Sequence, residues 1–123
     1  MKPRASLVLC WFCALPLTTR AEPPSPAAAR EIQHLIEHLQ NSGCEFMRNG
    51  SWYDSGKAAD HLRQKYDDLQ KKGWVSTAED FIARAGSESS MSHKAYEVRC
   101  AGRAAEPSGP WLQAELKRYR NAK

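Results

Sequence analysis

This sequence has no apolar run long enough to cross a membrane. Ala5–Leu17 is almost wholly apolar but covers only 13 residues, where a span needs about 20. There is no internal repeat, no Gly-x-Ser-x-Gly elbow and no Ser-x-x-Lys pattern, so the ready-made signatures of a solenoid or a serine hydrolase are missing. Cysteine is sparse, with four in 123 residues. Charge of one sign is sparse too: the formal net charge is +4, and much of that excess belongs to the first stretch of chain.

That stretch reads as a secretory signal. Lys2 and Arg4 precede the apolar run, and Thr18-Thr19-Arg20-Ala21 offers small residues for cleavage after Ala21. Leu7-Val8-Leu9-Cys10 is not read as a lipid-attachment box, because Leu9 is too large there and the apolar run continues past it. Cleavage removes three cations (Lys2, Arg4 and Arg20) and no acid, which takes the charge from +4 to +1. A balance near zero gives no case for nucleic acid, which rewards a concentrated basic face. Cleavage also removes Cys10 and Cys13. Two cysteines remain in an oxidising compartment, so a Cys44–Cys100 disulfide is expected.

Residues 22–29, with Pro23, Pro24 and Pro26, read as a flexible lead-in, and residues 30–123 as one domain. Ile32, Leu35, Ile36 and Leu39 recur at helical spacing, and Asn41-Ser42-Gly43 ends that helix. Asn49-Gly50 between apolar runs is a strong hairpin signal, because a type I′ turn needs positive φ at both residues. It pairs Arg48 with Ser51, Met47 with Trp52 and Phe46 with Tyr53. Asp54 or Ser55 caps a second helix to about Lys72, with Ala58, Ala59, Leu62, Tyr66 and Leu69 as its stripe and His61 at the edge. Ser76 to Glu79 reads as a capping box for a short helix stopping at Gly86. A polar loop follows, then a strand over Tyr96–Cys100, a loop over Ala101–Gly109, and a last helix opened by Ser108 and Pro110. Trp52, Trp74 and Trp111 read as core or half-core. The fold expected is α+β: about three antiparallel strands packed with three or four helices.

The disulfide adds a register. If the Val98 strand runs antiparallel to the first hairpin strand, Cys44 faces Cys100, Phe46 faces Val98 and Arg48 faces Tyr96. A guanidinium and a phenol then meet at one end of the sheet, beside the serine loop.

Ser42–Gly50, Ala59–Leu62, Lys65-Tyr66, Thr77–Ile82, the Ser87–Ser90 cluster, Tyr96–Cys100 and Trp111-Leu112 together resemble the YfeK-like family of small exported bacterial proteins. The resemblance implies a Gram-negative periplasmic protein and no known activity. Where that family is expected to carry Ser-Gly before the last strand, this chain has Ser92-His93. The difference bears on the backbone of that turn, since His does not readily take up the φ range of Gly.

Three constellations bear on chemistry. His34-Leu35-Ile36-Glu37-His38 fits an inverted zinc-peptidase pattern, with Glu115 as a formal third ligand. Against it, His34 lies opposite the apolar stripe, as an exposed flank would, so no metal and no cofactor are expected. Ser87, Ser89 and Ser90 are nucleophile candidates with His61 or His93 as base, although such loop hydroxyls ordinarily bond their own backbone. Arg48, Asn49, Tyr53, His61, Ser87, Ser89, Ser90 and Tyr96 make a better binding patch than a catalytic one. Arg supplies a planar fork for carboxylate or phosphate, and Tyr a stacking face with a polar tip. The first reading is therefore a non-catalytic, monomeric binding module of the cell envelope, whose partner is an envelope protein, a peptide or a glycan. An inhibitor of an exported enzyme such as lysozyme is the second, by analogy with small exported inhibitors that share a serine-rich turn before Tyr but have a sheet-rich fold. A small hydrolase is the third.

Overall fold

The computed structural model describes residues 22–122. The expected leader, its cleavage point, Cys10 and Cys13 lie outside them. Four helices and a four-stranded antiparallel sheet carry the chain, closed by the Cys44–Cys100 disulfide with Cα atoms 4.3 Å apart. Helix α1 is Pro26–Gln40, α2 Ser55–Lys71, α3 Ala78–Phe81 and α4 Ser108–Asn121; strands are β1 Glu45–Arg48, β2 Ser51–Asp54, β3 Glu97–Arg99 and β4 Glu106–Pro107. The sheet order is β2-β1-β3-β4.

Helix α1 starts earlier than the expected lead-in allows. Ser25 caps it, its Oγ accepting from the Ala28 N–H at 3.1 Å, and Pro26 fills a first-turn position where a missing N–H costs nothing. Ile32, Leu35, Ile36 and Leu39 are buried, as their spacing predicts. Asp54, not Ser55, caps α2, accepting from the Lys57 N–H at 2.8 Å. The capping box of α3 lies one residue later than expected. Thr77 Oγ1 accepts from the Asp80 N–H at 3.0 Å, and the Asp80 carboxylate accepts from the N–H groups of Thr77 and Ser76. Those bonds hold the Asp80 carboxyl below its usual range. After Phe81 the helix widens into a π turn, Ile82–Gly86, that packs on α4. A Cβ at Gly86 would come within 2.6 Å of Leu112 Cδ1.

The hairpin has its expected register, Arg48↔Ser51, Met47↔Trp52 and Phe46↔Tyr53, with positive φ at Asn49 and Gly50. β1 and β3 pair as the disulfide requires, with Phe46 opposite Val98. Two features differ from expectation. The loop after Cys100 returns as a two-residue edge strand, where Pro107 is tolerated because an edge position need not donate. Trp74 is half exposed, not core, with the Lys72 ammonium 5.0 Å from its ring centre. Trp111 packs edge-on to Phe46, and Trp52 lies under the Arg99 guanidinium.

His93 takes φ 58°, so the turn before β3 uses a left-handed residue even though it is not Gly. Its N–H donates to Ser89 O at 2.9 Å, which holds it there. His93→Gly is expected to raise stability by about 1 kcal/mol, because left-handed strain of about 1–3 kcal/mol is relieved against a smaller entropic cost of Gly. A urea midpoint shifted upward checks this; a midpoint shifted downward would contradict it.

Candidate functional site

The site begins at the open end of the β1–β3 ladder. Continuing the register one step past Met47↔Glu97 places Arg48 opposite Tyr96. Helix α2 crosses this end of the sheet and inserts His61 between them. Arg48 Nη1 lies 3.4 Å from His61 Nδ1, and His61 Nε2 lies 3.3 Å from the Tyr96 hydroxyl. One turn on, Lys65 Nζ donates to the same hydroxyl at 3.1 Å and to the Glu88 carbonyl at 2.7 Å. Three side chains able to carry positive charge thus converge around one phenol. No carboxylate hydrogen-bonds to them among the described residues, since the Glu88 carboxylate faces His93 instead.

Partial burial disfavours charge on this row. It lowers His61 below its usual range, with the neighbouring positive charges of Arg48 and Lys65 acting in the same direction. Lys65 is lowered to about 8, by burial first and then by Arg48, with Glu88 opposing. Burial also pushes the Tyr96 phenol up, so it stays a neutral hydroxyl.

Two hollows meet at this row, sharing Arg48, His61 and Tyr96. A polar groove of about 320 Å³ is completed by Lys65, Gln64, Asp68 and the Ser89–Met91 loop. A smaller hollow of about 150 Å³ lies on the other side, with Leu39, Phe46, Met47, Tyr53, Ala58 and Leu62 in its wall.

The structure sorts the expected patch. Arg48, His61, Ser89, Ser90 and Tyr96 line the polar groove, and Tyr53 lines the apolar hollow instead. Asn49 and Ser87 line neither. Asn49 ties the hairpin tip to the loop, its Oδ1 accepting from Ser92 Oγ at 2.6 Å. Ser87 turns inward and donates to the Ile82 carbonyl at 2.6 Å. Ser89 is buried, and its hydroxyl accepts from the Met91 and Ser92 N–H groups. Among the described residues no serine hydroxyl bonds to His61 or His93, so the nucleophile–base pairing has no geometry behind it here. Lys65 was missed as a site residue. Its signal was the i,i+4 spacing from His61, which puts both on one helix face.

His34 and His38 do not lie on an exposed flank, although Glu37 between them is exposed. His34 stacks on Tyr119 of α4 at 4.1 Å, and His38 lies against Trp111 at 4.9 Å. Glu115, buried on α4, sits 2.9 Å from His34 Nε2 and 3.5 Å from His38 Nδ1. Its carboxylate also takes a two-pronged bond from Arg118 at 2.5 and 2.6 Å, while Glu37 accepts from Gln33. Arg118 first, then His34 and His38, hold Glu115 down at about 2 against the opposing effect of burial. The cluster is an α1–α4 clasp, and its carboxylate is committed to an arginine. Among the described residues no group of three or more His, Cys, Asp or Glu is placed to hold a metal, and no helix is long and apolar enough to cross a membrane.

A family model described as a family of unknown function, DUF5329, matches residues 26–120. No curated protein and no solved structure matches the chain.

Proposed function

The chain belongs to the DUF5329 family of unknown function, and from that premise we propose that it is an exported, non-catalytic binding module of the cell envelope that receives an anionic group in the Arg48–His61–Lys65–Tyr96 groove. The observation that carries this reading is the linked row in which His61 and Lys65 meet at the Tyr96 hydroxyl and Arg48 meets the other face of His61, with no carboxylate bonded to the three among the described residues. Cations brought together in a half-buried place raise one another's energy, and an incoming anion lowers it. Arg48 offers a fork, Lys65 a point charge, Tyr96 a buried hydroxyl in the wall and Ser90 an exposed one at the rim. A non-catalytic role is supported by the Ser87 and Ser89 hydroxyls, which are bonded to backbone groups.

The export part of the proposal rests on the leader-like first 21 residues, on the likeness to the YfeK-like family, and on the disulfide, a bond that persists in oxidising compartments. One preparation tests both parts. Protein taken from the periplasmic fraction of a Gram-negative host is expected to begin at Glu22 by mass. Titrated with inorganic phosphate, it is expected to show amide and side-chain NMR shifts at Arg48, His61, Lys65 and Ser90, with Arg48→Gln weakening binding about tenfold, as loss of one charge-assisted contact implies. A chain that stays in the cytosol with Met1 attached would overturn export. Phosphate shifts that are absent, or spread evenly over the surface, would overturn the groove.

A further inference from the structure

The polar groove and the apolar hollow meet at the same three side chains, Arg48, His61 and Tyr96. A simple inorganic anion would use only one side of that row. We infer that the ligand is a small amphipathic carboxylate, its charged end on Arg48 and Lys65 in the groove and a hydrocarbon part of about benzene size in the hollow behind. The inference rests on the anion-groove reading and adds the chemical class.

Size and lining carry it. An apolar cavity of about 150 Å³ is the volume that stays dry and takes up benzene, and the hollow here has about that volume. Leu39, Phe46 and Leu62 present carbon to its interior and are buried. Tyr53 and Ala58 form its outer wall; Tyr53 is one of few large apolar side chains left partly exposed, 37%. A mostly apolar pocket with a few convergent polar groups at one end is the usual form of a small-molecule site. Burial and the Arg48 charge, acting against Glu88, lower Lys65 to about 8, and its ammonium bonds the Tyr96 hydroxyl and the Glu88 carbonyl rather than a carboxylate. Asp68 also lines the groove, and its carboxylate bonds none of the three cations among the described residues. It weighs against a ligand carrying several negative charges and for one with a single carboxylate.

Three probes of one series test this by calorimetry at pH 7: 3-phenylpropionate, acetate and 3-phenylpropan-1-ol. The aromatic acid is expected to bind at least tenfold tighter than either the bare carboxylate or the uncharged alcohol, because only it fills both hollows. Ala58→Leu, which places extra carbon at the mouth of the hollow on a half-exposed helix position, is expected to remove that tenfold gain. Inorganic phosphate shifts in the same variant are expected to stay as in the parent, which also shows that it is folded. If 3-phenylpropionate binds no tighter than acetate while phosphate still moves the groove residues, the amphipathic ligand is overturned and the groove stands. Failure of phosphate and of all three probes overturns both.

Discussion

Replacing both bridge cysteines, Cys44→Ser with Cys100→Ser, is expected to lower the unfolding free energy by about 4 kcal/mol. The bridge closes a loop of 56 positions, and cross-linking a loop of that length removes about that much chain entropy from the unfolded state. For a domain whose whole stability is roughly 5–15 kcal/mol, such a loss is a large fraction. The bridge also ties the residue just before β1 to the residue just after β3, next to the core residues Phe46 and Val98. The two-residue β4 adds little to hold that edge. Urea unfolding of parent and double variant, each followed by far-UV circular dichroism, reads the difference. A loss below about 1 kcal/mol would mean that the ladder alone holds the sheet, and the bridge would no longer account for its register.

The second large effect is expected at Glu115. Glu115→Gln should cost about 2 kcal/mol at neutral pH, the scale of a hydrogen bond made to a charged group in a buried place. The carboxylate holds Arg118 in two bonds and faces His34 and His38 on α1, so it joins the two helices that flank the core. Its pH signature has a definite sign. The folded value is depressed to about 2 from an ordinary 4.5. The stabilisation is therefore complete above about 4.5 and is lost as pH falls toward about 2. The gap between the urea midpoints of parent and Glu115→Gln is expected to be widest from pH 5 upward and to close by pH 2. A gap that does not change over that range would show that Glu115 contributes only through its shape.

Much of this molecule was legible in its sequence because a few residues fix a great deal of geometry. Asn49-Gly50 permits one tight turn, and with Cys44 and Cys100 it sets the pairing of three strands; the structure has that register from Phe46↔Tyr53 to Arg48↔Ser51 and at Phe46↔Val98. The apolar stripes of α1 and α2 are equally direct. What was not legible depends on contacts between distant elements. β4 is two residues long, and its Pro107 argues against a strand in any reading by propensity. The α3 capping box could be set one residue either way, and Ser76-Thr77 offers two hydroxyls in a row. His34 lies off the apolar stripe, yet α4 covers that flank with Tyr119 and Glu115. Trp74 follows the Gly73 turn and is half exposed, with the Lys72 ammonium over its ring.

The candidate site divides in the same way. Arg48 and Tyr96 came from register, and His61 came from its place beside the α2 stripe. Lys65 shares a helix face with His61 by its spacing, and the crossing of α2 over the sheet brings it to the Tyr96 hydroxyl. Ser87 and Ser89 look like site residues until their hydroxyls are followed to the Ile82 carbonyl and to the loop's own N–H groups. Serine-rich loops combine these roles often, and composition does not separate them.

Lys65 is a half-buried ammonium bonded to the Tyr96 hydroxyl and the Glu88 carbonyl rather than to a carboxylate. The titration of that group, followed by heteronuclear NMR with and without inorganic phosphate, tests the anion groove most directly. The expected midpoint is about 8 in the free protein, rising when phosphate is present, because a bound anion favours the charged form. A midpoint near the ordinary 10.5 that phosphate does not move would contradict the account.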